Sequence, residues 1–466
     1  MWNGTSGMLR LRVCGNESVR AWPAVYSFGF NVSNPATRQA PPNVTAWASG
    51  TVRVDPQPVS KASRSLVGVS GGSEPLRVVE PWFTVKRISQ SSPVAGVRNR
   101  ITVSLRTNVD LALGGSEAAT IVMTNLSGAV VSGASVAMEM AEPIGSTCGV
   151  SGVQELLCGG LGGADKGRAD WNATTEGGSL VLRMCPNATF ASETLYVFVF
   201  EVTNPAWTQA APSVSIRGVG AMVSISVSGM EAGNGSLVGV DGGESPLRVV
   251  APCFTTRRVA QATPLAWAQN LLTITLQTNV DLSWLEGSEV RLSGLGEDGA
   301  TQLSRAVPRV VRPSADISGG TSLLCAARAM ESAAMLNRDG VVIWRVCANQ
   351  TLHSGVAYVF VVNVTNPSTE QAARALTIEA TGTAHIGAAG MDAPHAPLLG
   401  VVNGSDPLRV VVPALTTRAV AQSMPIAGRV NTVRVSVEAN VDVSSTWGVK
   451  GGVLLSSVSG VSLSSA

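Results

Sequence analysis

Three motifs recur three times each, in the same order, and this recurrence limits the possible folds more than any other feature of the sequence. The first is a strand-like segment ending at Cys14, Cys185 and Cys347. The second opens at Tyr26, Tyr196 and Tyr358, runs into Asn34-Pro35, Asn204-Pro205 and Asn366-Pro367, and reaches Gln39, Gln209 and Gln371. The third opens with Pro-Leu-Arg-Val-Val at Pro75, Pro246 and Pro407. It passes Gln90, Gln261 and Gln422 and closes on Asn-Val-Asp at Asn108, Asn279 and Asn440. Equivalent positions lie 171 and then about 162 residues apart. Self-similarity at a fixed period means tandem copies of one folding unit, here of about 165 residues.

Each copy is patterned for strands. Ile101, Val103 and Leu105 alternate with Thr102, Ser104 and Arg106, and Leu272, Ile274 and Leu276 repeat the pattern in the next copy. A period of two puts one set of side chains on a core face and the other toward solvent. Tyr26, Phe28 and Phe30 likewise alternate with Ser27, Gly29 and Asn31. Both parities are apolar over 196–200, as in a central strand covered on both faces. Asn-Pro then stops the strand, because proline lacks an N–H for the ladder and pushes the preceding residue to extended or turn geometry. The intervening segments are rich in Gly, Ser and Pro, and no stretch carries the caps and period of a long amphipathic helix. The expected fold is all-β, a tandem array of antiparallel β-sandwiches that are immunoglobulin-like in the broad sense.

The unit boundary falls where Pro-Leu-Arg-Val-Val hands over to Pro-x-Phe-Thr. Residues 80–250 and 251–411 are then two complete sandwiches. Residues 1–79 are expected to be the C-terminal part of one further repeat, and 412–466 the N-terminal part of another. A partial sandwich exposes core and unpaired strand edges, so the chain reads as a fragment of a longer array. A signal segment and an anchor are expected outside it, and no apolar run within it reaches the ~18 residues that span a bilayer.

Composition narrows the functional classes. With 45% hydrophobic and 14% charged residues, the chain has ample material for packed cores and lacks the signature of disorder. Its arginines are scattered singly through strand-like segments, without a basic run or an aromatic platform, and the net charge is only +2. A nucleic-acid partner is therefore not expected.

Cysteine and asparagine carry the more specific signals. Cys158 and Cys185 in one complete copy match Cys325 and Cys347 in the next, so each pair is a candidate disulfide. Closing a loop of roughly 20–30 residues is worth about 3.5 kcal/mol in the chain-entropy account. Seven buried thiols in a reduced protein are the alternative, and the pairing of Cys14, Cys148 and Cys253 stays open. Asn-x-Ser/Thr occurs at eleven of 21 asparagines, against about one in six expected by chance for this acceptor rule. Asn16, Asn187 and Asn349 each stand two residues after the repeat's cysteine, and Asn31 and Asn363 take the polar parity of their strand. These five are the candidate glycosylation sites. The competing explanation is that Asn, Ser and Thr are common turn residues.

Catalytic signals are weak. His353, His385 and His395 do not recur between copies. Gly68-Val-Ser70-Gly-Gly72 has nucleophile-elbow spacing, but its counterparts carry Asp241 and Val402 in place of Ser70 and no helix follows, so a plain turn is expected. The recurrent Asp110, Asp281 and Asp442, and Glu74, Asp241, Glu244 and Asp406 beside the Gly-rich turn, are weak calcium candidates because no Asp-x-Asp-x-Asp run joins them. The plain reading of the recurrent Asp is a local Asx-type strand ending. No catalytic, cofactor-binding or metal residue is assigned, and the chain is not expected to be an enzyme.

The string from Phe83-Thr84 through Gln90-Ser-x-Pro93, Asn99, Ile101, Val103, Leu105 and Asn108-Val-Asp110-Leu111 to Tyr196-Val-Phe198 resembles repeats in very long proteins of marine unicellular algae such as dinoflagellates. That resemblance covers essentially the whole chain and implies an extracellular or cell-covering role. The expected function is a structural or adhesive extracellular repeat protein, a non-catalytic spacer or cell-surface scaffold. Its partners would be neighbouring repeats of the same chain and surface glycans or proteins. The alternative is a carbohydrate- or protein-binding repeat array. A repeated sugar site needs aromatics in equivalent places, whereas Trp22, Trp47, Trp207, Trp267, Trp284 and Trp447 stand mostly at different ones.

Overall fold

Period-two segments become strands wherever a neighbour lies alongside to complete their ladder. The structure is a computed structural model describing residues 1–4, 6–112, 118–141, 152–160, 165–174, 177–296, 302–303, 309–312, 323–326, 340–444, 451–456 and 458–459. Strands are numbered from the first two-sheet unit: β1 (Phe83–Gln90), β2 (Arg98–Thr107), β3 (Thr120–Thr124), β4 (Ser135–Ala137), β5 (Glu139–Ala141), β6 (Arg168–Asn172), β7 (Ser179–Arg183), β8 (Tyr196–Thr203), β9 (Ser215–Val219), β10 (Ser224–Gly229) and β11 (Glu231–Ala232). One sheet runs β5-β8-β2-β1-β11 and the other β10-β9-β3-β7-β6-β4. These pairings are antiparallel except that of β11 with β1.

The next unit repeats the plan with β12 (Phe254–Gln261), β13 (Gln269–Thr278), β14 (Glu289–Ser293), β15 (Leu324–Ala326), β16 (Val342–Val346), β17 (Tyr358–Thr365), β18 (Thr377–Thr381) and β19 (Ile386–Gly390). Here β12-β13-β17 face β15-β16-β14-β18-β19. The chain is all-β, with antiparallel sheets packed as sandwiches. Its single α-helix among the described residues is one turn at Val153–Leu156. Among the described residues no helix is long and apolar enough to cross a membrane.

Alternation is what builds the cores. On β2 the odd residues Ile101, Val103 and Leu105 are buried against Phe198 and Phe200 of β8 and against Ile121, Leu180 and Ile216 of the facing sheet. The register sets Val103 opposite Phe198, and in the next unit Ile274 opposite Phe360. Burying each such side chain stabilises the fold by about 1.5–3 kcal/mol. β8 lies between β2 and β5, with Phe198, Val199 and Phe200 all buried, as the double apolar parity of that segment leads one to expect.

The chain has three tyrosines, and all three do the same work. Each hydroxyl accepts from a backbone N–H a few residues upstream: Tyr26 from Arg20 at 3.1 Å, Tyr196 from Ala191 at 3.0 Å and Tyr358 from His353 at 2.9 Å. At Tyr196 and Tyr358 the hydroxyl pins the loop entering the strand, as a tyrosine corner does in other sandwiches.

Recurrent amides are buried together beneath the β1–β2 end. Asn99 Nδ2 donates to Gln90 Oε1 and to Asn204 Oδ1, both at 2.8 Å. Asn99 Oδ1 accepts from Ser91 N at 3.1 Å and Ser92 N at 3.2 Å. Gln90 Nε2 reaches the carbonyls of Gly243 at 2.7 Å and Arg248 at 2.8 Å, which ties the end of the unit to its beginning. Gln261, Asn270 and Asn366 repeat the arrangement. Buried amides must be paired, so the recurrence of Gln and Asn-Pro in the motifs is a packing requirement.

One strand expectation is corrected. Tyr26, Phe28 and Phe30 lie in no strand and are exposed, although their counterparts Tyr196, Phe198 and Phe200 form the buried centre of β8. Among the described residues no strand equivalent to β2 lies beside them, and period-two alternation without a partner leaves ladder bonds unmade. In the last segment, β20 (Leu415–Gln422) and β21 (Val433–Ala439) pair with each other as β12 and β13 do, with mostly exposed side chains.

Candidate functional site: the junction between successive units

The Asn-Val-Asp motif lies where one unit meets the next. Its asparagine fastens the linker. Asn108 Oδ1 accepts from Trp82 N and its Nδ2 donates to Glu80 O, both at 2.9 Å. Asn279 makes the same pair with Cys253 and Ala251, both at 2.8 Å, and Asn440 with Ala414 at 2.8 Å and Val412 at 2.9 Å.

The aspartate reaches across to the Gly-rich turn of the preceding segment. Asp110 N donates to Val67 O at 3.0 Å, Asp281 N to Val238 O at 2.9 Å and Asp442 N to Leu399 O at 2.9 Å. Asp110 Oδ1 accepts from Ser192 N at 2.8 Å, and Asp281 Oδ1 from Ser354 N at 2.7 Å. The serine hydroxyls complete the contact: Ser192 Oγ donates to Gly68 O at 2.8 Å and Ser354 Oγ to Gly239 O at 2.5 Å. The local Asx-type ending expected for this Asp is therefore corrected. Its carboxylate is satisfied 82 and 73 residues away in sequence, a pairing that no local pattern reveals. Sequence reasoning missed Ser192 and Ser354 altogether. Their signal was equal spacing before Tyr196 and Tyr358, which an aligned pair of copies displays.

The other acidic candidates also have protein partners. Glu74 Oε2 is 3.4 Å from Arg77, Glu244 Oε2 accepts from Gly235 N at 3.1 Å, Asp241 Oδ1 from Ser236 Oγ at 3.2 Å, and Asp406 Oδ1 from His395 N at 2.8 Å. Among the described residues no group of three His, Cys, Asp or Glu side chains is placed to hold a metal ion.

Cys158 is bonded to Cys185 across 27 residues and Cys325 to Cys347 across 22, with Cα–Cα distances of 4.8 and 5.2 Å. Cys14 and Cys253 are free and exposed, and Cys148 lies outside the described residues. The turn after each repeat cysteine is hydrogen-bonded, from Glu17 N to Cys14 O at 3.1 Å, from Ala188 N to Cys185 O at 3.0 Å and from Gln350 N to Cys347 O at 3.0 Å. Asn16, Asn187 and Asn349 occupy its third position with φ of 65°, 66° and 61°, the left-handed geometry that a type II turn requires and asparagine tolerates. All three are exposed, as are Asn31 and Asn363.

No protein-family profile matches the chain, and no curated protein does. In architecture the chain is similar to the C-terminal domain of the antigen I/II-family protein AspA of Streptococcus pyogenes, at 8% identity and TM-score 0.38, over 68% of this chain and 99% of that one. The C-terminal domain of the AgI/II polypeptide BspA of Streptococcus agalactiae gives 7% identity and TM-score 0.37, over 67% and 98%. The Enterococcus faecalis MSCRAMM ACE, whose structure is described as binding its ligands by a collagen hug, gives 10% and 0.17, over 66% and 92%. Likeness at this level transfers none of those proteins' ligands to this chain.

Proposed function

We propose that this chain is a non-catalytic extracellular repeat protein, a stack of sandwiches that serves as a spacer or adhesive scaffold at a cell surface. One observation carries the reading: a disulfide and an exposed glycosylation acceptor stand side by side at the same place in both complete units. Disulfides persist in oxidising compartments. Turn geometry accounts for asparagine at 16, 187 and 349, but it does not require Ser18, Thr189 and Thr351 two residues later. The acceptor rule does require them. The repeating unit is proposed to span 80–250 and 251–411, and two separate cores, drawing on residues 83–247 and 254–408, support that division.

Non-reducing peptide mapping of the protein from its natural source tests the reading. The expected result is a Cys158–Cys185 and a Cys325–Cys347 crosslinked peptide, with glycan on Asn187 and Asn349. Free thiols together with bare asparagines would place the array in a reducing compartment and end the surface reading.

A further inference from the structure

We propose that the Gly-rich turn closing each repeat is a plug and that the Asp–Ser pair of the following repeat is its socket, so that each sandwich accepts a preceding repeat in one fixed orientation. This deepens the spacer reading and rests on it for its biological purpose.

The plug is rigid within its own unit. Leu237 and Val240 exchange backbone hydrogen bonds at 3.2 and 2.9 Å, leaving a two-residue turn of Val238 and Gly239 with φ of 53° and 69°. Behind it, Leu247 is buried in the core of the first unit, Val249 pairs with Gln209, and Val250 with Val94. Such tight turns favour Asn-Gly, because both positions need positive φ. Here the first position is Val67, Val238 or Leu399, at φ of 51°, 53° and 50°. Bulky and β-branched residues in that region are strained, and the strain recurs wherever the turn does.

The socket explains what these residues do there. The carbonyl of the strained residue accepts the Asp N–H in all three copies, and the glycine carbonyl accepts the Ser hydroxyl in the two junctions where that serine follows. Glycine is required by space as well as by φ. A Cβ at Gly68 or Gly239 would overlap the carboxylate of Asp110 or Asp281, and one at Gly400 would lie 2.5 Å from Asp442 Oδ1. Beside the polar contacts Val94, Val240, Val280 and Ala384 form a small buried apolar cluster with residues from both units. The linker offers no slack, because Asn279 holds both Ala251 and Cys253.

The plug lies near the C-terminus of one unit and meets the Asp–Ser pair of the next, two different surfaces, so the contact is head-to-tail and propagates as a line. A repeat of this class is the partner it fits. Units joined in this way share interface free energy, and the array behaves as a stiff rod rather than as beads on a string.

Hydrogen exchange on the intact chain tests this directly. The amides of Asp281 and Ser354 should be protected like those of β13. Gly239→Ala, a change in the first unit, should speed exchange at both amides about tenfold, roughly the factor for losing one net hydrogen bond. Protection in β17 should stay unchanged. If that variant unfolds the first unit, as loss of protection in β8 would reveal, Asp281→Ala decides from the socket side. It should speed exchange at Leu237 and Val240 across the junction. Loop-like exchange at Asp281 in the unaltered chain, or effects confined to the substituted unit, would overturn the proposal. Free thiols in the natural protein would end the surface reading and leave these rates untouched.

Discussion

Asn99→Ala measures what the buried amide cluster is worth. Asn99 is fully buried and makes five hydrogen bonds through one side chain, two to amide oxygens, two from backbone N–H groups and one, at 3.4 Å, from Ser91 Oγ. Truncation leaves Gln90 Oε1 its bond from Leu247 N, and leaves Ser91 N its bond to Arg100 O. Ser92 N and Asn204 Oδ1 are then left without a partner. An orphaned buried group costs about 1–3 kcal/mol and the half-buried Ser92 N–H counts at the low end, so the expected loss is about 3 kcal/mol. At roughly 2–4 °C per kcal/mol for a unit of this size, melting should fall by about 6–12 °C in calorimetry of the intact chain. The chain supplies its own control. Asn431 makes the equivalent bonds to Gln422, Ser423 and Met424, but it is only half-buried and its partners are exposed, so water replaces what Asn431→Ala removes. That variant should shift stability by under about 1 kcal/mol. Equal effects of the two substitutions would refute the argument that burial, rather than bond count, sets the cost.

Three further outcomes follow from the same reasoning. Replacing Cys325 and Cys347 together by Ala opens a 22-residue closure and should lower the stability of the second unit by about 3.4 kcal/mol, read as a drop in its calorimetric transition while the first unit's stays in place. Phe198→Ala removes a fully buried ring and should cost about 3–5 kcal/mol in urea unfolding, whereas Val227→Ala on an exposed face should stay within about 0.5 kcal/mol. Burial raises the Tyr196 hydroxyl pKa above its ordinary 10.0; the Ala191 N–H partly offsets this and the Asp110 charge adds to it. The folded state therefore favours the neutral hydroxyl, so this contribution is complete below the unfolded pKa and is lost as pH rises through the folded one. The urea midpoint should decline above about pH 10, and Tyr196→Phe should flatten that decline.

Much of the fold was legible from the chain alone. Alternation at Ile101, Val103 and Leu105 depends only on strand periodicity, so their burial could be read directly. The same alternation misled at Tyr26, Phe28 and Phe30, because a pattern names a face but does not supply the strand that covers it. Recurrence also marked Gln90, Asn99, Asn204 and Asp110 as important without saying why.

The sequence by itself determined the repeat, the strand class and the matching cysteines, all of which are periodic or positional properties of a single chain. Only the tertiary structure decided that Asn99 meets Asn204, 105 residues away, and that Asp281 meets Ser354 and the turn at Val238. Those partners are chosen by which polar groups, side-chain amides and backbone alike, are buried without water once two sheets and two units close together. A buried polar group must find its partner in space, whatever its distance along the chain.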